Sequence, residues 1–441
     1  MKKLLLVPVT LGLLLSACRT VEFTPVQSCL RGEPVAEVQS TLAQPLDEIL
    51  VIYSAAGVLR SQQLRSLSDD HDLEPVHTRS GILPDVLRTA GDAIVVAAAL
   101  EDDPRVDYAI PNFRLAPLAD TDCLTDNWNL SGFGVAEAWG RGPGRHEVTV
   151  AVIDTGIDVD HPELREAMLP GFNFHDLSDD PRPALETDSH GTHVTGIIAA
   201  RGYEDVAGVA GFPQQIKVLP IRIFNDTATT ASFDDLVLAL AWAAGLRLEG
   251  SDLEDVPLNP HPADLINLSL GAAIPPHPGV DMLISQLVGE RGITVIAASG
   301  NNSNQDTPIY APANSAAALA IGSVDSDYRL AQQSLYAGPK DITVVGPGGA
   351  GPSHCDAVLS TVPFGETGCS AGTSMAAPFV TGALALLLTH EPNLTPQQLE
   401  TRLRDATYFA EAFMSEEKYG AGVLCADRLV SGRNHRPGRP C

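Results

Sequence analysis

The alternation of apolar runs with helical patterns along this chain predicts an α/β protein, in which a mostly parallel sheet carries helices on both faces and a small α+β domain precedes it. Downstream of Trp139 the strand-length apolar runs are continuous, as expected of strands buried on both faces. Upstream of Leu115 the patterned segments are shorter and mixed. A stretch rich in Pro and Asp, Leu115 to Asn127, separates the two regions.

Each element follows from its local pattern. Asp47 to Tyr53 reads as a strand, Val58 to Leu67 as a short helix, and Ile94 to Leu100 as a buried segment of either type. Arg105 to Ile110 alternates like a strand and is expected to stop at Pro111-Asn112. The larger region offers strands at Val148–Ile153, Ile216–Phe224, Leu265–Leu270, Ile293–Ala298, Ala318–Val324 and Ile342–Val345. Helical patterns fall between and after them, at His190–Arg201, Phe233–Leu246, Met282–Gly289, Met375–His390 and Thr395–Ala406. The expected division is 1–17, an export signal; 18–45, a tether; 46–115, the α+β domain; 116–127, a linker; 128–430, the α/β body; and 431–441, a short basic tail.

Composition narrows the destination of the chain. Lys2 and Lys3 precede an apolar run, Leu4 to Leu15, with the build of a signal-peptide core. The run ends in Leu15-Ser16-Ala17-Cys18, a lipobox-like sequence in which Cys18 is the expected lipidation site, anchoring the body to a bacterial membrane; a plain secretory signal is the alternative. Cys29, Cys123, Cys355, Cys369, Cys425 and Cys441 then form an even set suited to disulfides, with Cys355 and Cys369 able to close a short loop. With 28 Lys and Arg against 55 Asp and Glu, the net charge of −27 repels phosphate backbones, so nucleic acid is not an expected partner.

Three segments place reactive side chains where such a sheet exposes them, at the carboxyl ends of its strands. Asp154 follows a buried strand in Val150-Ala151-Val152-Ile153-Asp154-Thr155-Gly156-Ile157-Asp158. His190 and His193 head a helix rich in small residues, Asp188-Ser189-His190-Gly191-Thr192-His193-Val194-Thr195-Gly196, where Gly196, Ala199 and Ala200 are expected to bring its first turn close to Asp154. Ser374 stands where a Gly-containing loop enters a long apolar helix, in Gly372-Thr373-Ser374-Met375-Ala376-Ala377-Pro378, with free backbone N–H groups nearby. Taken singly, each has a plain structural reading: a cap for Asp154, a hydrogen-bonded core histidine for His193, an N-cap for Ser374. A metal-dependent hydrolase built on Asp154, Asp158, His161, His190 and His193 and an inactive binding protein on the same fold are the competing functions.

In the order Asp154, His190, Ser374, the three segments together resemble the signature blocks of the subtilisin-like serine peptidases. The resemblance runs from about Trp128 to the region of Leu429 and implies an endopeptidase acting on protein or peptide substrates through an Asp-His-Ser triad. Val295-Ile296-Ala297-Ala298-Ser299-Gly300-Asn301 is similar to the oxyanion segment, making Asn301 a donor. Ile266-Asn267-Leu268-Ser269-Leu270-Gly271 resembles the edge that pairs with an extended peptide, so Ser269, Leu270, Gly271, Ala298, Ser299 and Gly300 are the implied substrate-binding residues. Residues 100–113 look like the end of an inhibitory propeptide, which implies a zymogen held by its own upstream domain and matured within the linker. The chemistry needs no cofactor. Glu163 stands where relatives often carry a calcium-binding Asp, but the loop from Arg201 to Ala207 lacks the Asn-rich sequence that completes the site, and no calcium ligands are assigned.

Overall fold

The computed structural model describes residues 45–53, 60–79, 83–117, 127–185, 187–203, 206–211, 215–227, 230–250, 252–302, 304, 306–338, 340–350, 356–409, 414–433 and 441. The export signal, Cys18, the tether, Cys29, Cys123, Cys355 and most of the expected linker lie outside them.

The upstream domain folds as β1 (Pro45–Tyr53), α1 (Arg60–His71), β2 (Leu73–His77), β3 (Asp85–Thr89), α2 (Ala93–Glu101) and β4 (Val106–Pro117). Its antiparallel order β4-β1-β3-β2 is that of a split βαββαβ motif. Ile49, Val51, Leu67, Leu87 and Leu100 are fully buried between sheet and helices. The segment that read as either type is a helix because Asp92 caps it: its carboxylate accepts the N–H groups of Ile94 and Val95. The short strands β2 and β3 carry no pattern long enough to have been read from sequence.

The body continues with α3 (Trp128–Ser131), α4 (Val135–Trp139), β5 (Val148–Asp154), β6 (Phe172–Asn173), α5 (His190–Ala199), β7 (Ile216–Arg222), β8 (Ala231–Ser232), α6 (Phe233–Ala243), β9 (Leu265–Leu268), β10 (Leu270–Gly271), α7 (Pro278–Arg291), β11 (Thr294–Ala298), β12 (Leu319–Val324) and β13 (Val344–Pro347). A hairpin, β14 (Val358–Val362) and β15 (Glu366–Ser370), leads into α8 (Thr373–His390). The chain closes with α9 (Pro396–Asp405), β16 (Thr407–Tyr408), α10 (Glu416–Tyr419), β17 (Val423–Leu424) and α11 (Ala426–Ser431).

Nine strands form the main sheet in the order β16-β17-β13-β12-β11-β9-β5-β7-β6, parallel throughout except for the β16–β17 pair. The sheet is thus the α/β architecture read from the sequence. Helix α8 is apolar enough to cross a membrane by composition, yet 94% of it is buried within the protein, which makes it the central core helix. Cys425, at the head of α11, is joined to Cys441 by a disulfide that ties down the C-terminus.

Strand β4 departs from the sequence reading. It does not stop at Pro111 but runs to Pro117, through the expected 115/116 boundary, because its far end gains new partners in the body. Arg114 and Leu115 pair with Ser232 and Ala231 of β8, and Ala116 and Pro117 pair with Gly271 and Leu270 of β10. Proline removes one donor from a ladder, but two flanking strands outweigh that loss. Beside this seam the buried guanidinium of Arg79 binds the carboxylates of Asp234 and Asp252, and His77 Nδ1 lies 3.0 Å from Asp252. Asn112 Oδ1 accepts the N–H of Asp234 at the head of α6 (3.3 Å).

Candidate active site

Asp154 is the last residue of β5 and is fully buried. The turn after it depends on Gly156, whose φ is +130° and whose Cβ would stand 2.6 Å from the backbone of Pro183. The N–H of Thr155 donates to Asp154 Oδ1 at 2.7 Å, fixing the carboxylate.

His190 opens α5, and its Nδ1 lies 2.6 Å from Asp154 Oδ1. The close approach is set by Gly191: a Cβ there would lie 2.2 Å from the carbonyl oxygen of Gly156. The sequence reading gave that close approach to Gly196, Ala199 and Ala200 together. Gly196 faces the β14 strand, where a Cβ would meet the hydroxyls of Thr361 and Ser360 at 2.2 and 2.3 Å. Burial opposes charge on His190, but the charge and hydrogen bond of Asp154, helped by Asp188, outweigh it and hold the imidazole above its ordinary range. Its Nε2 is buried with no hydrogen-bond partner among the described residues.

Ser374 lies in the first turn of α8, one residue inside the helix rather than at its cap. Its hydroxyl donates to the carbonyl oxygen of Ser269 (3.0 Å), and the hydroxyl of Ser269 donates to the carbonyl oxygen of Ser374 (2.9 Å). Asn267 Nδ2 donates to Ser269 Oγ (3.0 Å), so both serines are held from the end of β9. Asn301, after β11, accepts both the N–H and the hydroxyl of Thr373 on its Oδ1, each at 3.0 Å. Commitment of the oxygen turns the Nδ2 end of the carboxamide away from Thr373. Asp154, Ser269 and Asn301 therefore stand at the carboxyl ends of three adjacent parallel strands, β5, β9 and β11, with the heads of α5 and α8 drawn to them.

Residues 145–422 match the Subtilase family. A "Thermophilic serine proteinase" of Bacillus sp. (strain AK1) is 31% identical over 306 residues, 69% of this chain and 68% of that protein. The chain belongs to the subtilase family. An "Extracellular protease" of Xanthomonas campestris pv. campestris is 30% identical over 379 residues, 77% of this chain and 62% of that protein. Among solved structures, a protease from Pseudoalteromonas arctica PAMC 21717 superposes with a TM-score of 0.59 at 28% identity, covering 71% of this chain and 99% of that one. This subtilase is accordingly a hydrolase of the serine endopeptidase class.

Along the cleft of this subtilase, Leu270 and Gly271 form β10, the edge that pairs with β4. Ala298 ends β11, while Ser299 and Gly300 turn from it toward Asn301. Ala231-Ser232, the other segment that pairs with β4, went unread, since a two-residue strand has no periodicity of its own. Other residues bear structure rather than chemistry. His193 Nε2 reaches the carbonyl oxygens of Val358 (3.0 Å) and Gly368 (3.1 Å), and burial lowers its pKa to about 4. His161 spans the carbonyl oxygen of Glu366 and the N–H of Glu163, and Asp158 Oδ2 accepts the N–H of Phe364. With those donors and acceptors committed, the five residues of the metal-hydrolase alternative do not converge, and no group of three or more such side chains able to hold a metal ion occurs among the described residues. Glu163 Oε2 accepts the N–H of Tyr203.

Proposed function

We propose that this subtilase is an exported endopeptidase made as a zymogen, with Ser374 as nucleophile, His190 as general base and acid, Asp154 as its orienting carboxylate and Asn301 as an oxyanion donor. The observation that carries the reading is the 2.6 Å contact of His190 with a fully buried Asp154, while Nε2 stays unengaged. Ser374 Oγ attacks the scissile carbonyl carbon and its proton passes to His190 Nε2. The oxyanion takes hydrogen bonds from Asn301 Nδ2 and the N–H of Ser374. Collapse expels the amine, which leaves with the proton from His190, and a water repeats the cycle on the acyl-enzyme.

Substrate enters as an added strand on β10, where β4 now lies. That placement supports reading residues 46–115 as an inhibitory propeptide, with maturation beyond Pro117 in the rest of the 116–127 linker. Export and anchoring rest on the Lys2-to-Cys18 sequence, and the name "Extracellular protease" of the Xanthomonas relative agrees with export. Cys18 carries the lipid, and a bacterial membrane is the partner it selects.

The test is a fluorophosphonate probe on the full chain, with casein turnover in parallel. Ser374 is labelled in the parent, Ser374→Ala abolishes labelling and turnover, and the variant accumulates uncut precursor. Casein turnover that survives Ser374→Ala removes the reading.

A further inference from the structure

A second carboxylate lies over the turn that carries His190. Asp188 Oδ1 accepts the hydroxyl of Thr155 (2.9 Å) and the backbone N–H of His190 (3.3 Å). Thr155 is shared with the first carboxylate: its own N–H donates to Asp154 Oδ1, and its Oγ1 accepts the N–H of Gly191 (3.2 Å). Asp154 and Asp188 are thereby tied through one residue to the two sides of a single imidazole-bearing turn. Asp188 Oδ2 is buried and accepts no hydrogen bond among the described residues. An asparagine would supply the same Oδ1 acceptor to Thr155 and His190 without burying a charge, so these hydrogen bonds do not require the carboxylate.

We propose that Asp188 is a positioning residue whose negative charge, added to that of Asp154, raises the basicity of His190 and stabilises the imidazolium formed during acyl transfer. The proposal rests on His190 as the general base. Among the described residues, three ionisable groups face it. Asp154 comes from β5, Asp188 from the loop before α5, and His193 from one turn further along α5. Burial keeps His193 neutral well below pH 6, with a pKa of about 4, so the two carboxylates supply the local field. Both act in one direction on His190, while burial raises the pKa of the Asp188 carboxyl itself.

The experiment compares the parent with Asp188→Asn, which keeps the acceptor and loses the charge, and Asp188→Ala, which loses both. The readouts are the pH dependence of kcat/KM on a peptide substrate and of the second-order rate of fluorophosphonate labelling at Ser374. For Asp188→Asn the acid limb of both profiles moves to lower pH by about half a unit to one unit, with KM and the thermal midpoint little changed. Asp188→Ala shows the same shift with a further fall in kcat. An acid limb in Asp188→Asn that coincides with the parent's overturns the proposal. Should the variant fail to mature, the same question is put to intact chains carrying Ser374→Ala, with and without Asp188→Asn, by NMR titration of selectively 15N-labelled histidine. A lower His190 midpoint in the double variant supports the proposal, and equal midpoints overturn it. Failure of the parent to label at Ser374 at any pH instead removes the general-base reading, and the proposal with it.

Discussion

Pro378 is the sixth residue of α8, past the first turn, where the absence of an N–H costs least. The donor it lacks is the one that in an unbroken helix would reach the carbonyl of Ser374. Ser269 takes that place through its hydroxyl, and the hydroxyl of Ser374 answers on the carbonyl of Ser269. The proline thus leaves the carbonyl of Ser374 open to the hydroxyl of Ser269. A donor aimed at charge present only in the transition state raises turnover more than binding, which makes the proposed role of Asn301 testable. Asn301→Ala is expected to lower kcat by about 10²–10³, a size taken over from subtilisin, with KM nearly unchanged in steady-state kinetics. A rise in KM alone would return Asn301 to a turn residue. The segments around Asp154, His190, Ser374 and Asn301 stood out in the sequence because each is a contiguous block. The contact of Thr155 with Asp188 did not, since it joins positions 33 apart in sequence and exists only once β5 and α5 meet.

At the scale of elements, the long buried strands were readable because burial on both faces imposes an unbroken apolar run, and β5, β7, β11 and β12 fall where such runs lie. Strands β8, β10, β16 and β17, two residues each, owe their existence to partners, which leave no local trace. The α6–α7 pair contains a titrating contact that the sequence also hid. His277 caps α7, stacks on Phe233 with ring centroids 4.6 Å apart, and has a buried Nε2 with no partner among the described residues. Burial lowers its pKa from 6.5 to about 3. Unfolding returns it to the ordinary value, so its contribution to stability is whole above pH 6.5 and is lost as pH falls toward 3. His277→Asn, which keeps a capping acceptor, should therefore make stability less steep in pH between 4 and 6.5, by up to about 1.4 kcal/mol per pH unit. Chemical denaturation of Ser374→Ala chains with and without this change measures the difference, and equal slopes would count against a neutral buried imidazole.

At the scale of the whole molecule, composition and cysteine count spoke of destination rather than of fold. A net charge of −27 suits a soluble body, and Leu15-Ser16-Ala17-Cys18 suits one tethered by its first residue after processing. Cys18→Ser is expected to move the protein from the membrane fraction to the soluble fraction and to remove the lipid from its intact mass. A parent chain that is already soluble and carries no lipid mass contradicts the anchor. The course of β4 across the Pro- and Asp-rich break could not be read from the sequence, because its last residues pair with β8 and β10.

That course has a consequence in mass action. While residues 118–126 join β4 to the body, the strand is held beside β10 at an effective concentration fixed by the length of that connection, however dilute the protein. On the proposed zymogen reading, a single cut in the connection turns the pairing of β4 with β10 into a bimolecular equilibrium, governed by total concentration. On that reading, dilution after the cut shifts β4 away from β10.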